Sequence, residues 1–265
     1  MRNYLLQLGL ASMVFSSAAS ASTVQLGLKN VNPEIQDRVS ESAYRLMQGG
    51  WDHMISNGAA PAGEDDMDSI DYTGATALNG TLWDFTLSYE SGDDGVKGFS
   101  FQMSEVDGRP LNSGTVVYDV DNPLNGETPT APFNSIMIGA SAGPLIDINN
   151  YDETAYIDIF DLAFISSLPS SGSFENPLNA SWPAEEFDSA WILSSVDLSL
   201  YDWSLSGKVN AGFDCNGLGS AGCLNPDSLR MNLLVANSTV PVPAAVWLFG
   251  SALGLLGWKR RKRAV

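Results

Sequence analysis

A period-two alternation of apolar and polar residues dominates the middle of the chain. Residues 83–89 read Trp-Asp-Phe-Thr-Leu-Ser-Tyr, and residues 99–103 read Phe-Ser-Phe-Gln-Met. Between them lies the turn-forming run Glu-Ser-Gly-Asp-Asp-Gly. Because successive side chains of a strand point to opposite faces, the pattern predicts two half-buried strands joined as a hairpin.

Further short segments have the composition of strands and are separated by Gly, Pro, Asn and Asp. About nine strands in a single domain predict an all-β fold, an antiparallel β-sandwich of the jelly-roll kind. Besides the hairpin, the predicted strands are Thr115–Val120, Ser135–Gly139, Tyr156–Phe164, Trp191–Leu193, Val196–Leu200, Trp203–Val209 and Arg230–Val235.

One segment predicts an N-terminal helix instead. Asn32 is a favourable N-cap, Pro33 suits the first helical position, and Gly49-Gly50 would end the helix. The supporting positions are one apolar face and two i,i+4 ion pairs: Ile35, Val39 and Leu46; Glu34–Arg38 and Glu41–Arg45.

The charge is unevenly distributed along the chain. All 31 acidic residues lie between Ser22 and Val240, where only seven basic residues accompany them, which gives this part a net charge of −24. Such a negative surface repels phosphate backbones and excludes nucleic acid as a partner. With 44% hydrophobic and 17% charged residues, the composition is neither that of a disordered chain nor that of a polytopic membrane protein.

The N-terminus has the parts of a secretory signal peptide. Arg2 precedes a short apolar stretch, and residues 19–21, Ala-Ser-Ala, match the small-x-small rule for cleavage. We expect residues 1–21 to be removed and residues 22–239 to form the exported domain.

The last residues, 240–265, combine three parts. Pro241 and Pro243 make a stiff, extended joint, and residues 244–258 form an uncharged run. As a helix this run spans roughly 22 Å against a hydrocarbon core of roughly 30 Å, so a single transmembrane helix is short but feasible. The basic cluster that follows stays cytoplasmic by the positive-inside rule, which places the acidic domain across the inner membrane: Lys259, Arg260, Arg261, Lys262 and Arg263.

This order of parts at the end of an exported chain resembles the PEP-CTERM sorting signal. Residues 243–257 read PAAVWLFGSALGLLG and are similar to the V-P-x-P-A-A-x-W-L-F variant of that family. The resemblance implies a Gram-negative host that makes extracellular polysaccharide, and an exosortase that cleaves near the proline motif: Val240, Pro241, Val242 and Pro243. Val242 stands where the namesake Pro-Glu-Pro has its glutamate, which leaves the exosortase subclass open. The domain in front of the signal shows no family resemblance.

The only two cysteines, Cys215 and Cys223, enclose a short Gly-rich loop. In the oxidising compartment that export implies, they predict a small structural disulfide. A zinc site is disfavoured because the one histidine, His53, is distant in the sequence.

Acid-rich segments suggest a calcium site. The densest one follows Glu64 and offers carboxylates at close spacing, the kind of oxygen ligand that Ca²⁺ takes: Asp65, Asp66, Asp68 and Asp71. The segment does not fit the EF-hand pattern, and a solvated acidic surface explains it equally well. The sequence leaves both interpretations open.

Two features bear on catalysis. Residues 139–143, Gly-Ala-Ser-Ala-Gly, match the nucleophile-elbow pattern, but no helix is predicted after Ser141 and His53 precedes it in the chain. We therefore interpret residues 139–143 as a turn between strands and His53 as a histidine that makes a hydrogen bond in a loop.

The tryptophans bear on carbohydrate binding, because exposed rings can stack on sugars. Trp83, Trp191 and Trp203 lie in or beside strand-like segments and are predicted to be buried. Trp51 and Trp182 are the surface candidates.

The sequence thus predicts a non-catalytic cell-surface or extracellular-matrix protein. Its partners are an exosortase during processing, the inner membrane before processing and, as a candidate, extracellular polysaccharide. One alternative is a carbohydrate- or calcium-binding module, which an exposed aromatic pair on one sheet face would distinguish. A second alternative is a secreted hydrolase, which requires a cleft where Ser141, His53 and an acid meet.

Overall fold

The computed structural model describes residues 24–29, 31–47, 50–57, 67–71, 80–92, 98–106, 113–119, 132–143, 154–175, 177–184, 186–214 and 229–239. These residues are almost entirely β-structure and form two sheets. The strands are β1 Val24–Leu28, β2 Glu34–Met47, β3 Gly50–Asn57, β4 Met67–Asp71, β5 Leu82–Glu90, β6 Gly98–Glu105, β7 Ser113–Asp119, β8 Ser135–Ala142, β9 Thr154–Ser166, β10 Ser170–Gly172, β11 Leu178–Trp182, β12 Phe187–Ser194, β13 Trp203–Asp214 and β14 Leu229–Thr239.

The larger sheet has eight strands in the order β10-β1-β12-β8-β14-β2-β3-β4, and the smaller has six in the order β11-β9-β13-β5-β6-β7. The pairings are antiparallel except that of β1 with β10. Side chains from the inner faces of both sheets form one apolar core. The prediction of an all-β fold is therefore confirmed at the level of two mainly antiparallel sheets.

The predicted hairpin is confirmed. Strands β5 and β6 pair with Phe85 opposite Met103 and Leu87 opposite Phe101. Burial along β5 alternates strictly, with Trp83 and Leu87 wholly enclosed. Burying each such side chain stabilises the folded state by about 1.5–3 kcal/mol. The alternation therefore fixes which face of this sheet is internal.

The predicted helix is wrong, because residues Glu34–Met47 form strand β2. This strand pairs with β14 on one side and with β3 on the other, so neighbouring strands bond its backbone along both edges. Tyr44 is buried and packs against Trp83 of the facing sheet with 6.2 Å between ring centroids. Helix propensities differ by less than about 1 kcal/mol per residue, and this tertiary pairing outweighs them.

Other boundaries also differ from the prediction. Residues Val196–Leu200 are not a strand, since Leu198–Leu200 form a 3-10 turn. The sequence did not reveal strands β1, β3, β4, β10 and β11, whereas the other predicted strands are found with shifted ends. Within the described residues no helix has the length and apolar character needed to cross a membrane. The predicted transmembrane helix, residues 244–258, and the signal peptide lie outside the described residues.

Candidate functional site

A shallow groove of about 860 Å³ lies at one end of the six-stranded sheet. Three segments far apart in the sequence line it, residues 88–92, 165–167 and 200–204. They meet here because β5 and β9 end, and β13 begins, at the same end of the sheet. Strand pairing therefore assembles this site, and no local motif encodes it.

The rim of the groove is apolar and exposed. Leu200 and Ile165 are each 67% exposed, more than any other large apolar side chain of the described residues. Leu200 is held in this position by the 3-10 turn, which Asp197 caps by accepting a hydrogen bond from the Ser199 backbone N–H at 2.9 Å. Exposed apolar side chains beside a concave surface are typical of ligand-binding sites.

A carboxylate is fixed at the same rim. Asp202 Oδ1 accepts hydrogen bonds from the Ser91 backbone N–H and from the Ser91 hydroxyl, both at 2.7 Å. These two bonds hold the pKa of the Asp202 carboxyl below its usual value, so the group stays ionised. Because both bonds go to one oxygen, Oδ2 is left with no hydrogen-bond partner among the described residues.

Hydroxyl groups line the remaining floor and walls. Ser88 and Ser100 share a hydrogen bond of 2.6 Å between their Oγ atoms, and Ser166 Oγ accepts a bond from the Leu168 backbone N–H at 3.2 Å. Ser167 and Ser204 make no hydrogen bond through their hydroxyls within the described part of the chain. The groove therefore offers both fixed and free hydroxyls next to its apolar rim.

Two aromatic side chains pack in the core beneath the groove. Trp203 is 3% exposed and stacks on Tyr89 with 6.0 Å between ring centroids. The Tyr89 hydroxyl donates to the Ser199 carbonyl at 3.2 Å, whereas the Trp203 indole N–H has no acceptor among the described residues. A buried donor without a partner costs about 1–3 kcal/mol, and buried indole N–H groups usually find an acceptor. Because the Trp203 ring is enclosed by the core, its indole N–H lies beneath the groove and is not presented to a ligand there.

The residues considered for catalysis do not meet. Ser141 lies within strand β8, not in a turn, and its hydroxyl donates to the Arg230 carbonyl at 3.3 Å. His53 lies in strand β3, not in a loop, and is wholly buried against the core, edge-on to Phe101 at 5.9 Å. Ser141 shares the outer face with Arg230, whereas His53 faces the core, so the two side chains are on opposite faces of one sheet.

Burial lowers the pKa of His53 to about 4, against the opposing effects of a hydrogen bond to the Gly114 backbone and the charge of Asp68. The imidazole is therefore neutral at neutral pH. Because it is enclosed by the core, it is placed for packing rather than for contact with a ligand in the groove.

The predicted calcium ligands are only partly described. Asp65 and Asp66 lie outside the described residues, while Asp68 and Asp71 belong to strand β4. Asp68 Oδ2 accepts a hydrogen bond from the Val117 backbone N–H at 2.9 Å. In the part of the chain that the structure describes, no group of three or more His, Cys, Asp or Glu side chains is placed to hold a metal.

The tryptophans predicted to be buried are buried. Trp83 and Trp203 belong to the core, whereas Trp191 is 4% exposed on the outer face of the eight-stranded sheet, opposite Met137. Trp182 is partly buried and packs against the core, and the side chain of Trp51 is not described.

Two aromatic residues that the sequence did not single out lie on strand β9, Tyr156 and Phe160. On the outer face of the six-stranded sheet the Tyr156 ring lies across Gly212, where a Cβ would come within 2.6 Å of the ring. Phe160, further along the same strand β9, is also half-buried.

The remaining predicted sites fall outside the described residues. These are the cysteine pair Cys215 and Cys223, the proline motif of residues 240–243 and the basic cluster of residues 259–263. No model of a known protein family matches the chain, and no curated protein matches it significantly.

Proposed function

We propose that this chain is an exported, non-catalytic cell-surface or extracellular-matrix protein that is sorted by its C-terminal segment. The single observation behind the proposal is that the two ends of the chain require the same topology. The N-terminal signal exports the acidic domain, and the basic cluster of residues 259–263 keeps the other end cytoplasmic. In this proposal the chain is a single-pass inner-membrane intermediate until an exosortase cleaves it near Pro241–Pro243.

The proposed domain is a β-sandwich of the jelly-roll kind whose role is structural or ligand-binding. Three observations favour this role over hydrolysis. Ser141 and His53 lie on opposite faces of one sheet, and Ser141 is within a strand instead of at the sharp turn that a nucleophile elbow requires. The groove at the end of the six-stranded sheet is shallow and is lined by serines and apolar side chains.

The sorting proposal predicts the mass of the mature protein. We expect protein recovered from the cell surface to lack residues 1–21 and residues 244–265, because the proline joint is accessible and the segment after it is retained in the membrane. Intact-mass spectrometry of the surface fraction measures this directly. Mature protein that retains Lys259–Val265 would contradict the proposal.

A matched variant separates sorting from general proteolysis. Replacing Pro241 and Pro243 by alanine leaves the apolar run and the basic cluster unchanged while it removes the stiff joint. We expect this variant to accumulate in the inner membrane with an intact C-terminus. If it is shortened at the same bond as the natural chain, the prolines are not required and the proposed role of the Pro241–Pro243 joint is wrong.

A further inference from the structure

We propose that the groove at the end of the six-stranded sheet binds an uncharged oligosaccharide. The proposal rests on the ligand-binding role proposed above but not on export or cleavage. It is drawn from three features of the groove: an exposed apolar rim, a fixed carboxylate and free hydroxyls.

The mixture of surfaces matches a sugar ring. A pyranose has apolar C–H faces and a periphery of hydroxyls that both donate and accept hydrogen bonds. Leu200 and Ile165 supply the apolar surface, and Tyr201 next to Leu200 adds a half-buried aromatic ring. Polar groups placed beside apolar surface are what orient a small ligand.

The polar groups are complementary to vicinal hydroxyls. Asp202 presents Oδ2 as an acceptor while Ser91 holds Oδ1, so the carboxylate needs no reorientation to accept a hydroxyl donor. The hydroxyls of Ser167 and Ser204 line the same groove and can each donate or accept a hydrogen bond. Preorganised groups of this kind reduce the cost of binding.

Charge selects against acidic ligands. Among the described residues that line the groove there is no lysine or arginine, and both charged side chains, Glu90 and Asp202, are acidic. The region from Ser22 to Val240 carries a net charge of −24, which repels uronates, sulfated sugars and phosphates. The chemistry therefore fits a neutral glycan better than an anionic one.

The decisive experiment is calorimetric titration of the full-length chain with maltohexaose, cellohexaose, laminarihexaose and mannohexaose. An oligomannuronate of the same length serves as the anionic probe. The protein is kept in a polyoxyethylene detergent, because a detergent with a sugar head group would compete for the site. We expect at least one neutral hexasaccharide to bind and the anionic one to bind at least tenfold more weakly or not at all.

Two groove variants and one control assign the binding to this site. Leu200→Ala removes the exposed apolar contact and Asp202→Asn removes the charge of the fixed acceptor, and together we expect them to weaken binding at least tenfold. Val106→Ala is the control, because Val106 is 43% exposed and hydrogen-bonds to Leu82, which lies at the other end of strand β5. It should leave the affinity unchanged.

The outcomes that overturn the proposal are distinct. Absence of binding to all four neutral probes overturns it, as does equal loss of affinity in the groove variants and the control. Binding of the uncharged peptide acetyl-(Val-Thr)3-amide in place of the sugars would assign the groove to an extended peptide. Because the titration does not depend on processing, its failure is distinguishable from failure of the mass measurement.

Discussion

Replacing Arg45 by methionine is expected to lower the free energy of unfolding by about 3–5 kcal/mol, the typical cost of removing one partner of a buried ion pair. Arg45 of β2 lies directly opposite Asp52 of β3. Its Nε donates to Asp52 Oδ1 at 2.9 Å and its Nη2 donates to Oδ2, so the pair is two-pronged. The Asp52 side chain is only 3% exposed, and without Arg45 its carboxylate would lose the cation that offsets its burial.

Urea denaturation of the natural chain and of Arg45→Met measures the change. The double variant Arg45→Met, Asp52→Leu is measured beside them, since it removes the buried charge together with its partner. We expect it to recover most of the lost stability, because replacing both members of a buried pair by apolar residues is often nearly neutral.

Lys208 provides the matched control for charge removal. Its Nζ donates to Asp161 at 2.7 Å, but the Asp161 side chain is 60% exposed, so solvent screens this pair. Lys208→Met should leave the urea midpoint almost unchanged. If Arg45→Met lowered the free energy of unfolding no more than Lys208→Met, the buried pair would contribute no more to stability than the exposed one.

The same charges explain why the sequence predicted a helix where the structure has strand β2. At helical spacing, Glu41 and Arg45 form a favourable i,i+4 pair, which favoured the helix. In the structure Arg45 bonds to Asp52 on β3, and Glu41 accepts from Arg230 of β14 at 2.9 Å. Both partners lie on neighbouring strands, and Arg230 is 189 positions from Glu41 in the sequence. A local pattern cannot distinguish these long-range pairs from helical ones.

The sequence was sufficient to predict a strand where one face of that strand is apolar and the other is polar. The β5–β6 hairpin was predicted because its alternation is strict and its partner is adjacent in the sequence. Strand β11 was not, although its five residues, Leu-Asn-Ala-Ser-Trp, alternate between apolar and polar, because the segment is short and Asn and Ala are depleted in strands. The short apolar segment Val196–Leu200 looked like a strand, although Asp197 carries the capping signal that predicts a turn.

The groove was not predictable by the same means. Its residues come from the ends of three strands and from the 3-10 turn, and each segment is an ordinary run of serines and apolar residues. The capping residue Asp197 was the one local signal near it, because this residue fixes the turn that exposes Leu200. The fixed carboxylate of Asp202 becomes recognisable only once β5 and β13 are paired, because that pairing brings Ser91 to Asp202.

Lowering the pH from about 7 to about 4 is expected to destabilise the natural chain by about 3 kcal/mol more than a His53→Gln variant. Burial lowers the pKa of His53 to about 4 in the folded protein, whereas the ordinary value is 6.5. Between these two values the unfolded chain binds a proton that the folded chain does not, so stability falls as the pH falls. Each unit of difference corresponds to about 1.4 kcal/mol, which gives the expected size.

The comparison is unusually clean because His53 is the only histidine among the 265 residues. Many carboxyl groups also titrate toward the acid end of this range, but they are the same in both proteins and cancel in the difference. Glutamine is uncharged throughout and retains an N–H that can donate to the Gly114 backbone, as His53 does. Urea denaturation of both proteins at intervals of half a pH unit gives the two curves. If the two plots of unfolding free energy against pH run parallel from pH 7 to pH 4, the buried imidazole does not resist protonation. If they diverge below pH 6.5, the core holds His53 neutral.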